Sequence, residues 1–126
     1  MSGTSMDGLD IAYCHFSKND RGWSYSIRKA TTLKYSAAWI EKLSTAQELS
    51  GENLIALDVA YGKFLGKACD DFVKKHRLKV DFIASHGHTI FHQPQKGFTY
   101  QLGNGNALYA QCGIPVVYDF RSLDVM

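Results

Sequence analysis

The 126-residue sequence lacks a long apolar run, a large net charge and a regular cysteine pattern. No stretch approaches the roughly 20 apolar residues of a membrane-spanning helix, and the amino terminus has neither the basic start nor the apolar core of a signal peptide. A formal net charge of +2 is too small to indicate a nucleic-acid-binding surface. We therefore expect a cytoplasmic protein that binds neither membranes nor nucleic acid.

The composition, with 45% hydrophobic and 21% charged residues, is typical of a globular domain. The three cysteines, Cys14, Cys69 and Cys112, are an odd number at long spacing, which fits neither a disulfide framework nor a metal knuckle. We expect them to be reduced and buried.

The order of the predicted elements indicates an α/β fold. Alternating apolar residues predict an antiparallel strand pair at 9–16 and 23–35, and apolar residues at helical spacing follow from residue 37. Later segments predict strands at 80–85, 98–102 and 114–118, with a short helix at 107–112. A sheet that begins antiparallel and ends parallel, with helices on its faces, is how a ribonuclease-H-like domain is built.

One long helix is predicted to end near residues 76–77 and to cover one face of the sheet. Its apolar stripe contains Leu54, Leu57, Tyr61, Phe64, Leu65, Ala68 and Phe72. The polar residues that lie largely off this stripe are Asp58, Lys63, Lys67, Asp71 and Lys74.

Residues 3–10 form the most informative segment. Its two glycines let backbone N–H groups converge, its two hydroxyls donate to oxyanions, and an aspartate can hold a hydrated magnesium ion. The segment lacks the lysine of a Walker loop. The alternative is an ordinary hairpin turn, and an Asp-Gly turn commonly uses a positive φ at its glycine, here Gly8.

Three polar clusters, at residues 85–89, 101–105 and 119–121, lie at the ends of predicted strands. Since the carboxyl ends of parallel strands are where ligands bind in open α/β sheets, we expect these side chains to line a common cleft. His86, His88 and His92 also suggest a metal site, but no cysteine or acidic residue nearby completes a zinc set. We expect His88 and His92 to be loop or rim residues hydrogen-bonded to the backbone.

Four motifs in this order resemble the anhydro-N-acetylmuramic acid kinase family: M-S-G-T-S-M-D-G-L-D at 1–10, S-H-G-H-T at 85–89, Q-L-G at 101–103 and V-V-Y-D-F-R-S-L-D at 116–124. The resemblance implies an actin-like ATPase fold of two ribonuclease-H-like domains, with residues 1–126 as the amino-terminal part of the first. It also implies ATP-dependent phosphorylation of the 6-hydroxyl of this amino sugar, with opening of its 1,6-anhydro ring, in peptidoglycan recycling. Mg²⁺ would be the second cofactor, and a homodimer the assembly.

The resemblance also implies roles for individual residues. His86, Asp119 and Arg121 would lie on the sugar side, where Arg121 would either bind the lactyl carboxylate or hold neighbouring groups in place, and Asp119 would orient Arg121. Asp7 and Asp10 would hold Mg²⁺ through water. The phosphate loop for ATP would consist of Gly3, Thr4, Ser5, Met6, Asp7, Gly8, Leu9 and Asp10.

The chain departs from the family pattern at two places. His88 stands where glutamine is commoner, and Asn104-Gly105 stands where Asp-Pro or Asp-Gly is commoner. The catalytic base and the second domain are expected beyond residue 126. A nucleotide- or sugar-binding module without catalytic activity is therefore the alternative hypothesis.

Overall fold

The computed structural model describes residues 6–126, which form six strands and three α-helices. The predicted α/β class is confirmed. No helix within these residues is both long and apolar enough to cross a membrane. In chain order the elements are β1 (Leu9–Asn19), β2 (Gly22–Leu33), α1 (Ala37–Ser44), α2 (Gly51–His76), β3 (Ile83–Ser85), β4 (His88–Gln93), β5 (Phe98–Leu102), α3 (Gly105–Cys112) and β6 (Val116–Tyr118), with short 3₁₀ helices at Ala46–Glu48, Pro94–Lys96 and Leu123–Val125.

The strands pair as expected at both ends of the chain. β1 and β2 are antiparallel, and β3 and β6 are parallel, as the sequence order predicted. The sequence did not predict β4, which pairs antiparallel with β5. Within residues 6–126 the strands form three separate two-stranded sheets rather than one mixed sheet. The parallel β3–β6 pair is short, with three residues in each strand, and β4 and β5 pair with each other. Neither pair is hydrogen-bonded to the β1–β2 hairpin.

The β1–β2 hairpin is largely exposed beyond its first residues. The rings of Phe16 and Tyr25 lie 6.1 Å apart across the two strands, and Tyr25 and Trp23 are each 72% exposed. The amino group of Lys18 lies over the Trp23 ring. The far end of this hairpin therefore contributes little to the core.

Helix α2, the long helix that the sequence predicted, contributes five of the twelve buried apolar residues of the core, more than any other element. It begins where the Ser50 side chain accepts a hydrogen bond from the Asn53 N–H, and it ends at Arg77, whose φ of 51° is left-handed. Leu54 and Phe64 of the predicted stripe are partly buried and pack against the core. The buried positions of this helix are Leu57, Tyr61, Gly62, Leu65, Gly66, Ala68 and Phe72.

The centre of the core contains a histidine. Tyr61 is fully buried, its hydroxyl lies 2.6 Å from that of Tyr35, and the His88 ring meets the Tyr61 ring edge-on at 6.4 Å. His88 is only 1% exposed. The prediction that His88 is a loop or rim residue was therefore wrong, because the residue begins strand β4 and points into the core. His92 lies in the same strand, 3.3 Å from the Thr99 hydroxyl.

The three cysteines are free, as expected, but each is half-buried rather than buried. Burial and, to a lesser extent, the charge of Cys112 raise the pKa of the Cys69 thiol to about 11. Since the thiolate is the reactive form, Cys69 is an inert packing residue at neutral pH.

Helix α3 lies directly against two glycines of α2. A Cβ added at Gly62 would stand 2.4 Å from the carbonyl oxygen of Asn104, and one added at Gly66 would stand 2.6 Å from that of Leu108. Backbone atoms cannot yield as a flexible side chain can. The two helices can therefore be this close only because both positions are glycine.

We predict that Gly66→Ala destabilises the protein by about 1–3 kcal/mol through overpacking. The matched control is Gly51→Ala, since Gly51 lies in the same helix and an added Cβ meets nothing within 4 Å. The control should be neutral or stabilising by up to about 1 kcal/mol, because alanine is the better helix former. Urea unfolding of the three proteins measures both effects. Equal changes of the unfolding free energy in the two variants would show that the effect of Gly66→Ala does not come from the contact with α3.

Candidate functional site

The two parallel strands bring distant polar residues together. Ser85 and Tyr118 are paired at the ends of β3 and β6, so His86 and the residues after 118 leave the sheet at the same edge. The Nη1 atom of Arg121 lies 3.3 Å from Nε2 of His86. The Nδ1 atom of His86 lies 3.0 Å from the Gly87 carbonyl, which can only accept. We therefore assign the imidazole proton to Nδ1, and Nε2 accepts from the guanidinium.

Residues from each of the three predicted polar clusters line one cavity of about 180 Å³. Its walls come from the ends of β3, β5 and β6, the loop before α3, and one residue of α2. The structure thus places the clusters at one location, as the strand order suggested. The lining residues are Asp58, Ser85, His86, Gly87, Tyr100, Gln101, Leu102, Gly103, Asn104, Tyr118, Asp119 and Ser122.

Arg121 does not itself line this cavity but lies next to the lining residue His86, held by contacts that the sequence did not predict. Its Nε atom lies 3.2 Å from the Asp124 carboxylate, although the angle does not make a hydrogen bond and Nε is buried without a hydrogen-bond partner. Asp119, expected to orient Arg121, instead accepts a short hydrogen bond from the Ser122 hydroxyl. Its φ of 57° is left-handed, a conformation that aspartate tolerates. The contacts that orient the guanidinium therefore come from His86 and Asp124.

Gln101 presents an acceptor at the cavity wall. The Thr99 hydroxyl donates to the Phe91 carbonyl, so its oxygen accepts from Nε2 of Gln101 at 2.7 Å. These two bonds fix which end of the Gln101 amide is nitrogen. The other end, Oε1, is buried without a hydrogen-bond partner. A buried acceptor left in this state favours a ligand that donates a hydrogen bond.

Sequence reasoning missed the role of Asp58, which it placed among the polar residues off the stripe of the long helix. Its Oδ1 accepts from the Gly103 N–H at 2.7 Å, and its Oδ2 lies 3.3 Å from Nδ2 of Asn104. The signal was in the sequence, because residues 58, 62 and 66 recur every fourth position along one helix face. Two glycines on that face indicate a closely packed neighbour rather than solvent.

The described part of the phosphate segment begins with a bend at Met6 and Asp7. Gly3, Thr4 and Ser5 lie outside the described residues. Gly8 does not have the positive φ expected of an Asp-Gly turn, so that expectation was wrong. Glycine is still required there, because an added Cβ would stand 2.5 Å from the carbonyl oxygen of Leu33 at the end of β2.

The two candidate magnesium residues lie on the same short segment. Asp7 is exposed, and the Asp10 carboxylate accepts a hydrogen bond from the Thr32 hydroxyl across the hairpin. Leu9, between them, is 3% exposed and belongs to the core. Within residues 6–126 no group of three or more metal-binding side chains is assembled, and none of residues 6–10 lines the cavity.

The buried histidine makes stability depend on pH. Burial lowers the pKa of His88, and the charge of His86 lowers it further. The folded state therefore favours the neutral ring. Above the ordinary histidine pKa of about 6.5 neither state binds the proton, and below it the unfolded chain binds more protons, so stability falls as pH falls.

We predict that His88→Gln has a shallower loss of unfolding free energy between about pH 7.5 and about pH 5 than the parent. The measurement is urea unfolding at each pH. The quantity compared between the proteins is the slope of the unfolding free energy against pH, not the stability at any one pH. His15→Gln is the control, since His15 is exposed on the hairpin. An unchanged slope in His88→Gln would contradict the assignment of this pH dependence to residue 88.

Comparisons with known proteins show what the chain is similar to. A family model described as anhydro-N-acetylmuramic acid kinase matches residues 1–126. Curated relatives with that name include proteins from Sulfurimonas denitrificans, 33% identical, and Synechococcus elongatus, 34% identical, in both cases over 99% of this chain and 35% of the relative. One from Acinetobacter baylyi is 34% identical over 99% of this chain and 33% of the relative. The chain thus spans about a third of the length of these relatives.

Proposed function

The chain belongs to the anhydro-N-acetylmuramic acid kinase family, and from that membership we propose that the native protein phosphorylates anhydro-N-acetylmuramic acid with ATP. The proposal includes phosphorylation of the 6-hydroxyl and opening of the 1,6-anhydro ring, in cytoplasmic peptidoglycan recycling. It also includes the actin-like ATPase fold, with these residues in the first ribonuclease-H-like domain, and a homodimer. The observation that carries it is the set of strand-end clusters around one cavity beside Arg121.

The cavity suits the polar groups of an amino sugar. The planar guanidinium of Arg121 is the donor that best matches a carboxylate, here that of the lactyl group. Gln101 Oε1 would accept from an amide N–H or a hydroxyl. A volume of about 180 Å³ is small for a complete sugar site, since ligand pockets usually measure about 300–1,000 Å³. We propose that this chain supplies one wall of the cleft and that the remaining part of the protein supplies the other.

ATP and Mg²⁺ would be held by the amino-terminal segment. Residues 3–10 would contact the phosphates, and Asp7 and Asp10 offer the oxygen ligands that a hydrated magnesium ion prefers. The exposed Asp7 side chain fits contact through water. Bound Mg-ATP supplies the phosphoryl group and neutralises its charge. The chain's own residues bind and position the reactants.

Binding without turnover is the second candidate. The cavity has two carboxylates, and both are engaged within the protein, Asp58 by Gly103 and Asn104, and Asp119 by Ser122. In each of them at least one carboxylate oxygen already accepts a hydrogen bond from the protein, which favours a structural role over that of a proton acceptor. An assay that follows both binding and product formation separates the two candidates.

The test of the proposed function is a coupled assay of the native protein with magnesium, ATP and anhydro-N-acetylmuramic acid, following ADP and sugar phosphate. We predict that Arg121→Lys raises the KM for the sugar by about 10–100-fold, since lysine keeps the charge but loses the two-pronged donor. The KM for ATP should change by less than about threefold.

Arg28→Lys is the matched control, because Arg28 is exposed on the β1–β2 hairpin and its guanidinium contacts the neighbouring side chains of Ser26 and His15. It should leave both KM values unchanged. Equal losses for sugar and ATP in Arg121→Lys would refute a role on the sugar side. Sugar binding without ADP release would favour the binding module.

A further inference from the structure

We infer that Asp58 is a positioning residue for the sugar site, acting through the loop that begins helix α3. The inference rests on the proposed function for the identity of the ligand, and on the described contacts for everything else. Asp58 lines the cavity from α2, 45 residues before the Gly103 amide that it holds. No motif of the resemblance includes it.

Asp58 binds the loop at three points. Its carboxylate accepts from the Gly103 N–H at 2.7 Å and lies 3.3 Å from Nδ2 of Asn104, and its main-chain carbonyl accepts from the Asn104 N–H at 3.2 Å. Hydrogen bonds to an ionised carboxylate are about twice as strong as neutral ones. The charge of Asp58 therefore fixes the loop more firmly than packing alone.

The loop at Gly103 contacts the part of the cavity wall that contains His86 and Gly87. Gly103 has a φ of 128°, and a Cβ there would stand 2.9 Å from the Leu65 side chain and 3.4 Å from the Gly87 Cα. Gly87 follows His86 directly, and its own Cβ would stand 2.2 Å from the Leu102 carbonyl. The two loops are thus in backbone contact. Displacing the Gly103 loop would move the backbone that carries His86.

Asn104 fixes the direction of the hydrogen bond between its side chain and that of Asp58. Its Oδ1 accepts from the Ala107 N–H and so caps helix α3, which leaves Nδ2 to face Asp58. Asn104 cannot turn its amide over without losing that cap. Asp58→Asn would therefore set two NH₂ groups against each other, and Asn104→Asp would set two carboxylates against each other.

The combination Asp58→Asn with Asn104→Asp restores all three side-chain hydrogen bonds, and only the bond between residues 58 and 104 has its polarity reversed. The new asparagine accepts from Gly103 and donates to residue 104, while the new aspartate still accepts from Ala107, since aspartate is a good helix cap. The number of carboxylates equals that of the parent. A cycle of these variants isolates the contact from nonspecific damage.

The experiment measures the Kd for anhydro-N-acetylmuramic acid by calorimetry in the native protein and the three variants. Each single variant should weaken sugar binding by about tenfold, and the double variant should return to within about threefold of the parent. The Kd for ATP should stay unchanged throughout. Asp71→Asn is the matched control, since Asp71 lies in the same helix and pairs with Lys67 on the exposed surface.

Hydrogen exchange supplies a readout that does not depend on the sugar. Asp58→Ala should speed exchange in residues 103–107 by about tenfold or more, and leave α1 unchanged. Single variants with unchanged sugar affinity, or a double variant no better than the singles, would overturn the positioning role. If the parent does not bind the sugar, the proposed function fails, and unchanged exchange at 103–107 would then refute the inference by itself.

Discussion

At Gly62 and Gly66 the backbone of α2 approaches α3 so closely that one added carbon would overlap a carbonyl oxygen at each position. This contact fixes α3 against the central helix, and Asp58 on the same helix face fixes the loop that leads into it. Helix α3 in turn packs on β6, where Gly105 lies against the Tyr118 ring. The position of β6 then determines where the segment with Arg121 leaves the sheet. The positions of the elements around the cavity thus depend on the contact between α2 and α3.

Much of the fold could be predicted because its signals are local. The helical stripe, the first hairpin and the strand at 98–102 each follow from periodicity within a few residues. Strand β4 was missed because its histidines and the following Pro94 are typical of a loop. Its strand character comes from pairing with β5, which the local sequence does not encode. The same holds for His88, whose burial depends on Tyr61, 27 positions earlier in the chain.

The candidate site, like the fold, was predicted where the signals are local and missed where they depend on contacts between elements. Residue types and strand ends sufficed to bring His86, Asp119 and Arg121 to one edge of the β3–β6 pair. The partners that orient these side chains did not follow from the sequence. Asp124 rather than Asp119 contacts Arg121, and Gly8 is required by the nearby Leu33 carbonyl rather than by a positive φ. Such contacts depend on distances between elements, which spacing along the chain does not give.

The central claim is that the cavity beside Arg121 is the sugar-binding wall of a kinase cleft. The most direct test is a crystal structure of the native protein with anhydro-N-acetylmuramic acid bound. The account predicts the sugar carboxylate within about 3.2 Å of the Arg121 guanidinium, and an N–H or O–H of the sugar within the same distance of Gln101 Oε1. A sugar bound elsewhere, with neither Arg121 nor Gln101 in contact, would contradict it.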